Sequence, residues 1–284
     1  MIYNLVMMCG SGYVPSPPEP PEWNVAAASY VATGLVDDDL SASGIFFKPD
    51  GTELYVCGYN QDWVGRYSLS TPWDITTVSY VAHKDISTYD TQPYGIFVKS
   101  DGTSVYIAGD NGNDINQFTM TTPWDITTLT FVQVKSVSAQ TPAPRGIFFK
   151  PDGLKMYVPD YLDNILEYSL STAWDISTAS YTQTFVASDP DSGNQWSNRG
   201  IFFRDDGTRM FIGGSESTSG GGLGGGVKQF ELSTAWDIST ASYTKFKYTQ
   251  DQGGSQYGPV FKPDGLKMYM LEFFNLEVNQ YDLS

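Results

Sequence analysis

The chain has 284 residues, of which 40% are hydrophobic and 15% are aromatic, and it contains 28 glycines and 16 prolines. This length allows one large domain with a substantial core, and the composition favours many short strands joined by tight turns over long helices. The formal net charge of −16 repels phosphate backbones and anionic lipid, which excludes nucleic acid as an expected partner.

The first 22 residues form an arm that is not expected to join a sheet. Its apolar tip, residues 1–8, is too short to span a bilayer and is not preceded by the basic residues of a secretory signal, so no membrane span is expected. The Gly- and Pro-rich stretch that follows, residues 10–22, is expected to be extended. A lipoprotein site at Cys9 is a second interpretation, weakened because Leu5 lies four residues before the cysteine instead of three.

One phrase recurs along the rest of the chain. Trp-Asp-Ile-(Ser/Thr)-Thr-x-(Ser/Thr)-(Tyr/Phe) begins at Trp73, Trp124, Trp174 and Trp236, and a diverged copy begins at Trp23. Successive copies begin 50, 51, 50 and 62 residues apart. Repeats of this length are typical of propellers, in which one small antiparallel sheet is repeated around an axis.

A second phrase follows in each copy and predicts a strand that runs into a tight hairpin. Its first copy reads Gly-Ile-Phe-Phe-Lys-Pro-Asp-Gly, and the five copies begin at Gly44, Gly95, Gly146, Gly200 and Gly258. Proline sets φ for the first turn position, and Asp-Gly supplies a hydrogen-bond acceptor and a residue that tolerates positive φ. Two short apolar strands follow, and the strand of the Trp-Asp phrase gives each copy a fourth.

The register of the copies predicts how the ring closes. The first copy opens with an outermost strand near residues 23–31, and the chain ends at Ser284, where another outermost strand is needed. Pairing of the two ends would remove an exposed sheet edge. We therefore predict an all-β fold over residues 23–284, a five-bladed β-propeller of four-stranded antiparallel blades in which the N-terminal strand completes the last blade. The alternative is a partial ring that a second chain completes.

The order of these motifs resembles YVTN-type and related β-propeller repeats. The phrase Leu-Ser-Thr-x-Trp-Asp-Ile-Ser-Thr-Ala-Ser-Tyr is also similar to repeats in proteins of bacteriophages and marine bacteria, and the resemblance covers residues 23–284. It implies a propeller fold. The resemblance also implies a phage protein, and this implication rests on family membership and not on a chemical site.

One face of the predicted propeller is repetitive and the other, which we call the individual face, differs from copy to copy. Aromatic side chains mixed with Asp, Asn and Gln on a rigid scaffold suit a saccharide or protein partner. The alternative is that these residues are solvated loops and rim packing. The candidate binding residues are Tyr59, Trp63, Tyr89, Tyr94, Arg145, Tyr161, Trp196, Arg199, Tyr257, Phe273 and Phe274.

Two other features are interpreted as structural. Tryptophan can bind sugars and cations, but its recurrence in the same turn of each copy indicates a structural corner. In this corner the following Asp is expected to accept a hydrogen bond from a residue two or three positions later. The glycine-rich insertion at residues 213–226 lacks the lysine and the strand-to-helix context of a phosphate loop. It is expected to be a flexible loop or a surface of close approach.

The sequence shows no recognisable catalytic set. The innermost strands lack the paired carboxylates that glycoside hydrolysis uses, and no partner set for nucleophilic catalysis can be assembled around His83, the one histidine. Asp37, Asp38 and Asp39 could hold Ca²⁺, but a solvated acidic run is the preferred interpretation. We therefore predict a protein that is not an enzyme and has no catalytic residue, cofactor or metal.

The arm and the resemblance together predict a virion component, such as part of a tail, fibre or capsid-surface appendage. The arm would contact other virion proteins, and the individual face would contact a host-surface glycan or receptor. An arm folded back along its own propeller is an alternative, and a secreted or cell-surface lectin-like module is the alternative function. The anchoring residues are Met1, Ile2, Tyr3, Leu5, Val6, Met7 and Met8.

Overall fold

Twenty strands form five antiparallel sheets of four strands each in a computed structural model, which describes residues 23–36, 41–188, 196–217, 223–249, 255–273 and 275–283. Helical structure in these ranges consists of short 3₁₀ turns at Val25–Ala27, Ile75–Thr77, Ile126–Thr128, Ile176–Thr178 and Ile238–Thr240. The predicted five-bladed propeller is confirmed. The anchoring arm, the acidic run at residues 37–39 and Phe274 lie outside the described residues.

Each blade is one sheet, whose strands follow one another from the innermost to the outermost. Blade 1 consists of β2 (Ala42–Phe47), β3 (Glu53–Gly58), β4 (Trp63–Leu69) and β5 (Val78–Asp85). Blade 2 consists of β6 (Pro93–Val98), β7 (Ser104–Gly109), β8 (Asp114–Met120) and β9 (Leu129–Ser136). Blade 3 consists of β10 (Phe148–Phe149), β11 (Lys155–Pro159), β12 (Asn164–Leu170) and β13 (Ala179–Val186). Blade 4 consists of β14 (Trp196–Phe203), β15 (Arg209–Ser217), β16 (Leu223–Leu232) and β17 (Ala241–Tyr248). Blade 5 consists of β18 (Gln256–Phe261), β19 (Lys267–Glu272), β20 (Glu277–Asp282) and β1 (Ser29–Leu35).

Blade 5 is assembled from both ends of the described chain. Strand β1 pairs antiparallel with β20, with Ser29 opposite Asp282 and Leu35 opposite Glu277. This pairing covers the edge of β20, which would otherwise present unpaired backbone groups. The predicted closure is confirmed, and no second chain is needed to complete the ring.

Each Trp-Asp phrase forms a corner before the outermost strand. Its tryptophan has a positive φ, between 61° and 67° in the five copies. The indole packs onto the glycine of an Asp-Gly hairpin so closely that a Cβ added to Gly51 would lie 2.2 Å from the Trp73 ring nitrogen. The Asp74 carboxylate accepts a hydrogen bond from the Thr76 backbone N–H at 3.1 Å and caps the 3₁₀ turn. The tryptophans are therefore structural, as predicted.

Tyrosine hydroxyl groups link neighbouring blades through these corners. Tyr157 of blade 3 donates a hydrogen bond to the carbonyl oxygen of Trp236 at 2.8 Å. The equivalent bonds to Trp73, Trp124 and Trp174 are 2.6–2.8 Å long. At the boundary between blades 4 and 5 the equivalent residue is Phe211, which has no hydroxyl group but stacks on Trp23 with ring centroids 6.0 Å apart. One of the five linking hydrogen bonds is thus missing.

The substitution Phe211→Tyr is expected to supply this bond and stabilise the protein by about 1 kcal/mol, the usual net contribution of a buried hydrogen bond. The reverse change at an intact link, Tyr157→Phe, is expected to lower the free energy of unfolding by a similar amount. The Trp236 carbonyl oxygen then keeps only the hydrogen bond that the Lys155 ammonium donates at 2.8 Å. Chemical denaturation of the two variants and the wild type measures both effects. A destabilised Phe211→Tyr variant would show that the hydroxyl does not reach the Trp23 carbonyl.

Glycines at the start of the innermost strands allow the blades to meet closely at the axis. A Cβ added to Gly200 would lie 2.3 Å from the carbonyl oxygen of Gly258, and one added to Gly95 would lie 2.5 Å from the Cα of Gly146. Such contacts are too short for any side chain. We call the five residues of this ring the glycine collar: Gly44, Gly95, Gly146, Gly200 and Gly258.

Part of the glycine-rich insertion differs from the flexible loop that its composition predicts. Strands β15 and β16 extend into it, and Gly213 and Gly214 pair with Val227 and Gly226. A Cβ on Gly213 would lie 2.0 Å from the Gly258 carbonyl oxygen, so only glycine allows the two backbone segments to approach this closely. A surface of close approach is the second role that the sequence suggests for this insertion. The insertion therefore lengthens a hairpin.

Candidate functional site

A cavity of about 480 Å³ lies at the centre of the ring. Its wall consists of the innermost strands β2, β6, β10, β14 and β18. One side chain from the same position of each strand lines the cavity. These five side chains are half-buried, whereas their neighbours in the strands are mostly buried. They are Phe46, Phe97, Phe148, Phe202 and Val260.

The mouth of this cavity on the individual face is formed by residues that precede the glycine collar. Tyr94, Arg145, Arg199 and Tyr257 each lie one residue before a collar glycine, and the first three line the cavity. The fifth equivalent residue, Ser43, is buried and donates a hydrogen bond to the Pro93 carbonyl oxygen at 2.6 Å. Ring closure thus gathers at one point side chains that are about a blade apart in the sequence.

Arg145 carries hydrogen-bond donors that have no acceptor. Its guanidinium stacks on Tyr94, with Cζ 3.6 Å from the ring centroid, and Nη2 lies 2.9 Å from an Asp110 carboxylate oxygen. Nε and Nη1 are buried and have no hydrogen-bond partner among the described residues, and the side chain as a whole is 12% exposed. Buried donors without a partner cost about 1–3 kcal/mol each, and more when charged. The mouth therefore holds a position where an acceptor on a ligand would be stabilised.

Arg199 adds a second positive charge to the mouth. Its Nε donates to the Ser215 hydroxyl oxygen at 2.9 Å, its Nη1 donates to the Tyr257 hydroxyl, and its Cζ lies 4.8 Å from the Tyr257 ring centroid. In the part of the chain that the structure describes, no carboxylate forms an ion pair with Arg199. Among the described residues, the mouth thus has two guanidinium groups and one ion-paired carboxylate, that of Asp110.

Aromatic rings hold the two arginines in place. Tyr94 and Tyr257 stack with their centroids 6.3 Å apart, Tyr59 lies 4.9 Å from Tyr94, and Phe273 lies 5.4 Å from Tyr257. Burial raises the pKa of the Tyr94 and Tyr257 hydroxyls, although the neighbouring arginines act in the opposite direction. Both tyrosines are therefore neutral at physiological pH and add no negative charge to the mouth.

Most of the predicted binding residues meet at this site. Tyr161 joins it through Arg145, whose Cζ lies 5.3 Å from the Tyr161 ring centroid. The predicted residues that the structure brings together at or around the mouth are Tyr59, Tyr94, Arg145, Tyr161, Arg199, Tyr257 and Phe273.

Three other predicted residues do not belong to the mouth. Trp63 is 6% exposed and Trp196 is 4% exposed, so neither presents its ring to a partner; Trp196 packs edge-on against Phe246. Tyr89 is exposed but stacks on Phe131, with centroids 4.4 Å apart, beside the outer strands of blade 2. Phe274 lies outside the described residues.

Some parts of the site were not selected from the sequence. Asp110 pairs with Arg145, Ser215 accepts from Arg199, and the Gln92 side-chain amide donates to the Tyr59 hydroxyl at 3.0 Å. These residues lie in loops or hairpins that differ between copies, so the repeat provides no signal for their roles. Of the five residues before the collar glycines, four were among the predicted binding residues, Tyr94, Arg145, Arg199 and Tyr257, and Ser43 was not.

Asp90 and His83 lie outside the cavity wall. Burial raises the pKa of the Asp90 carboxyl to about 7, and this group accepts a hydrogen bond from the Gln92 backbone N–H at 2.9 Å. His83 lies on β5, where its Nδ1 is 2.7 Å from the Tyr80 hydroxyl. Within the described ranges, no group of three or more His, Cys, Asp or Glu side chains is placed to hold a metal ion. The described residues also include no helix with the length and hydropathy of a membrane span.

Comparison with known proteins adds information on the fold. No protein-family model matches the chain, and no curated protein matches its sequence. Among solved structures, hydrazine synthase of Kuenenia stuttgartiensis is similar with 15% identity and a TM-score of 0.51, over 85% of this chain and 75% of that one. The periplasmic gluconolactonase of Pseudomonas aeruginosa is similar with 13% identity and a TM-score of 0.50, over 81% and 78% of the two chains. A putative 6-phosphogluconolactonase of Bacteroides uniformis has 15% identity and a TM-score of 0.49, over 80% and 62%.

The similarity to the gluconolactonase corrects the prediction that the protein is not an enzyme. A gluconolactonase is among the propellers that share this architecture, so the lack of a recognisable catalytic motif is no ground for excluding catalysis. The prediction was wrong because it equated the absence of a familiar carboxylate pair with the absence of an active site. At 13% identity the similarity establishes a shared fold, and a function has to be argued from the site itself.

Proposed function

We propose that the protein binds a small organic anion at the mouth of the central cavity, between Arg145 and Arg199. The observation that carries this proposal is the Arg145 guanidinium, whose Nε and Nη1 are buried without an acceptor among the described residues. Arginine binds carboxylates and phosphates through charge-assisted hydrogen bonds, which are stronger than neutral ones. An anion at this position would satisfy donors that the protein leaves unpaired.

The local charge supports the same proposal although the whole chain is acidic. The net charge is −16, whereas the described residues of the mouth combine two guanidinium groups with one ion-paired carboxylate, that of Asp110. A concave site surrounded by apolar walls strengthens electrostatic interactions, because water is partly excluded. An anion is therefore attracted by the site itself and not by the protein as a whole.

The candidate ligands include the substrates and products of lactone chemistry. Hydrolysis of a lactone produces a hydroxy acid, which is an organic anion, and a gluconolactonase shares the propeller fold. An arginine donor near a lactone carbonyl would stabilise the negative charge that develops on its oxygen during hydrolysis. The ligand panel should therefore contain lactones, tested for hydrolysis, as well as the corresponding acids.

Isothermal titration calorimetry with acetate, gluconate, citrate and glucose phosphate tests the proposal. Arg145→Met and Arg199→Met each remove one cation from the mouth, and Arg204→Met is the matched control. Arg204 lies in the hairpin after β14, on the opposite face, where it pairs with Asp206. A hydrogen bond to a charged group contributes about 1.5–3 kcal/mol, so each mouth variant should bind the best anion roughly 10- to 150-fold more weakly.

Two results would reject the proposal. One is that none of the anions binds to the wild-type protein. The other is that Arg145→Met and Arg199→Met retain the affinity of the Arg204→Met control. Acid release from glucono-lactone that is lost in both mouth variants and kept in the control would extend the proposal from binding to hydrolysis.

The virion and lectin-like roles remain separate proposals. The virion role rests on the resemblance of the repeats alone, and no family model or curated sequence matches the chain. The anchoring arm on which that role depends lies outside the described residues. Tyr161 at the mouth is 43% exposed and could stack on a sugar, whereas Tyr94 and Tyr257 are 8% and 2% exposed. A glycan array on the propeller tests carbohydrate binding, and silence across the array would count against the lectin-like role.

A further inference from the structure

The cavity beneath the mouth is apolar. Below Arg145 and Arg199 its wall is formed mainly by the glycine collar and by aliphatic, aromatic and proline side chains, with Ser100 and Asp205 as its polar side chains. A strongly hydrated anion such as a polyhydroxy acid finds few hydrogen-bond partners on such a wall, whereas a ligand with an apolar part would bury it there. The cavity therefore favours a ligand that has an apolar part as well as a negative charge.

The ring of phenylalanines in the wall is interrupted in one blade. Phe46 contacts Phe97, Phe97 contacts Phe148, and Phe148 contacts Phe202, each edge to face with ring centroids 5.5–5.6 Å apart. At the same position blade 5 carries Val260, which is much smaller than phenylalanine. The series of edge-to-face contacts therefore ends at Phe202 and does not return to Phe46. The phenylalanine ring is therefore open at Val260.

The described charged groups differ between the two ends of the cavity. Among the described residues, the mouth has two guanidinium groups and one ion-paired carboxylate. At the other end Asp205 lines the cavity in the hairpin after β14, where the other blades have Pro49, Ser100, Pro151 and Pro263. No ion pair involving Asp205 is present among the residues that the structure describes. Its carboxylate would repel a second anionic group at the far end of a ligand. The charges favour a monoanion over a dicarboxylate or a doubly charged phosphate ester.

We infer that the ligand is a monocarboxylate with an unbranched acyl chain, whose carboxylate lies between Arg145 and Arg199 and whose chain passes Val260 into the cavity. This inference rests on the proposed function, the anion site at the mouth, and adds the chemical class of the ligand. Val260 is then a specificity-determining residue, because its size decides whether a chain can pass the phenylalanine ring.

Calorimetry with acetate, octanoate, dicarboxylates and octyl phosphate tests the ligand class. Octanoate should bind the wild-type protein at least about 50-fold more tightly than acetate, which corresponds to about 2.3 kcal/mol and to the burial of three methylene groups. Octyl phosphate and the eight-carbon dicarboxylate should bind more weakly than octanoate. Octanoate that binds no better than acetate, while acetate or gluconate still binds, would overturn this inference and leave the anion site intact. Failure of every anion to bind would instead reject the proposed function.

The substitution Val260→Phe tests the path of the chain. It should complete the phenylalanine ring and weaken octanoate binding at least about 10-fold more than it weakens acetate binding. Adding Phe97→Val in the same protein opens the ring in another blade and should restore part of the octanoate affinity. If Val260→Phe does not fold, as judged by its melting temperature, Val260→Ile provides a smaller obstruction and should give a smaller loss in the same direction. Unchanged octanoate binding in a folded Val260→Phe or Val260→Ile protein would place the chain elsewhere and overturn the assignment of Val260.

Discussion

Deletion of residues 23–35 is expected to prevent the propeller from folding as a stable monomer. The deletion removes β1 and exposes the full edge of β20, together with the buried side chains of Val278 and Tyr281. It also removes Trp23, which is 7% exposed and stacks against Phe202 and Phe211 of blade 4. Loss of a buried tryptophan alone costs about 3–5 kcal/mol, and a typical domain is stable by only about 5–15 kcal/mol.

Size-exclusion chromatography and thermal unfolding measure this effect. The shortened chain should elute as aggregates or oligomers, because the uncovered edge of β20 can pair with another molecule. Deletion of residues 1–22 is the matched control, since it leaves β1 in place and should preserve the melting temperature of the propeller. A monomeric protein without residues 23–35 that melts at the same temperature as the intact chain would contradict the closure of the ring by β1.

The substitution Gly200→Ala is expected to be among the most damaging single changes in the protein. Its Cβ would lie 2.3 Å from the carbonyl oxygen and 2.9 Å from the Cα of Gly258, so backbone atoms in two blades would have to move. Overpacking of a close-packed interior costs about 1–3 kcal/mol and occasionally more, and contacts with backbone are relieved least easily. We expect a loss of at least about 3 kcal/mol in the free energy of unfolding.

A second collar glycine provides the control. At Gly146 an added Cβ would lie 2.8 Å from Cγ of Pro159 and 3.3 Å from the nearest backbone atom, the Cα of Gly200. Because that short contact is with a side chain, Gly146→Ala should be destabilised less than Gly200→Ala. Denaturation of both variants gives the comparison. Equal stability of Gly200→Ala and the wild type would show that the blades can separate at the axis without cost.

The functional part of the molecule was only partly predictable from the sequence. Seven of the predicted binding residues lie at or around the mouth, because the order of strands in a propeller decides which loops share a face. Trp63 and Trp196, which were predicted to bind a partner, are buried. Aromatic residues in variable segments are as suited to packing as to binding, and their burial depends on tertiary contacts such as that between Trp196 and Phe246. The importance of Arg145 lies in the absence of acceptors around its guanidinium among the described residues, which no sequence pattern records.

By itself the sequence determined the number of blades, the order of the strands in each blade and the closure by the N-terminal strand. The reason is that five copies of one pattern form the same turns, corners and strands through the same local interactions. The tertiary structure alone decided that Tyr94, Arg145, Arg199 and Tyr257 meet, that Val260 interrupts the phenylalanine ring and that two donors of Arg145 are left without a partner among the residues described. The physical reason is that these features arise between blades. They depend on distances across the ring, which are set when the blades pack around a common axis and not by the order of residues within any one of them.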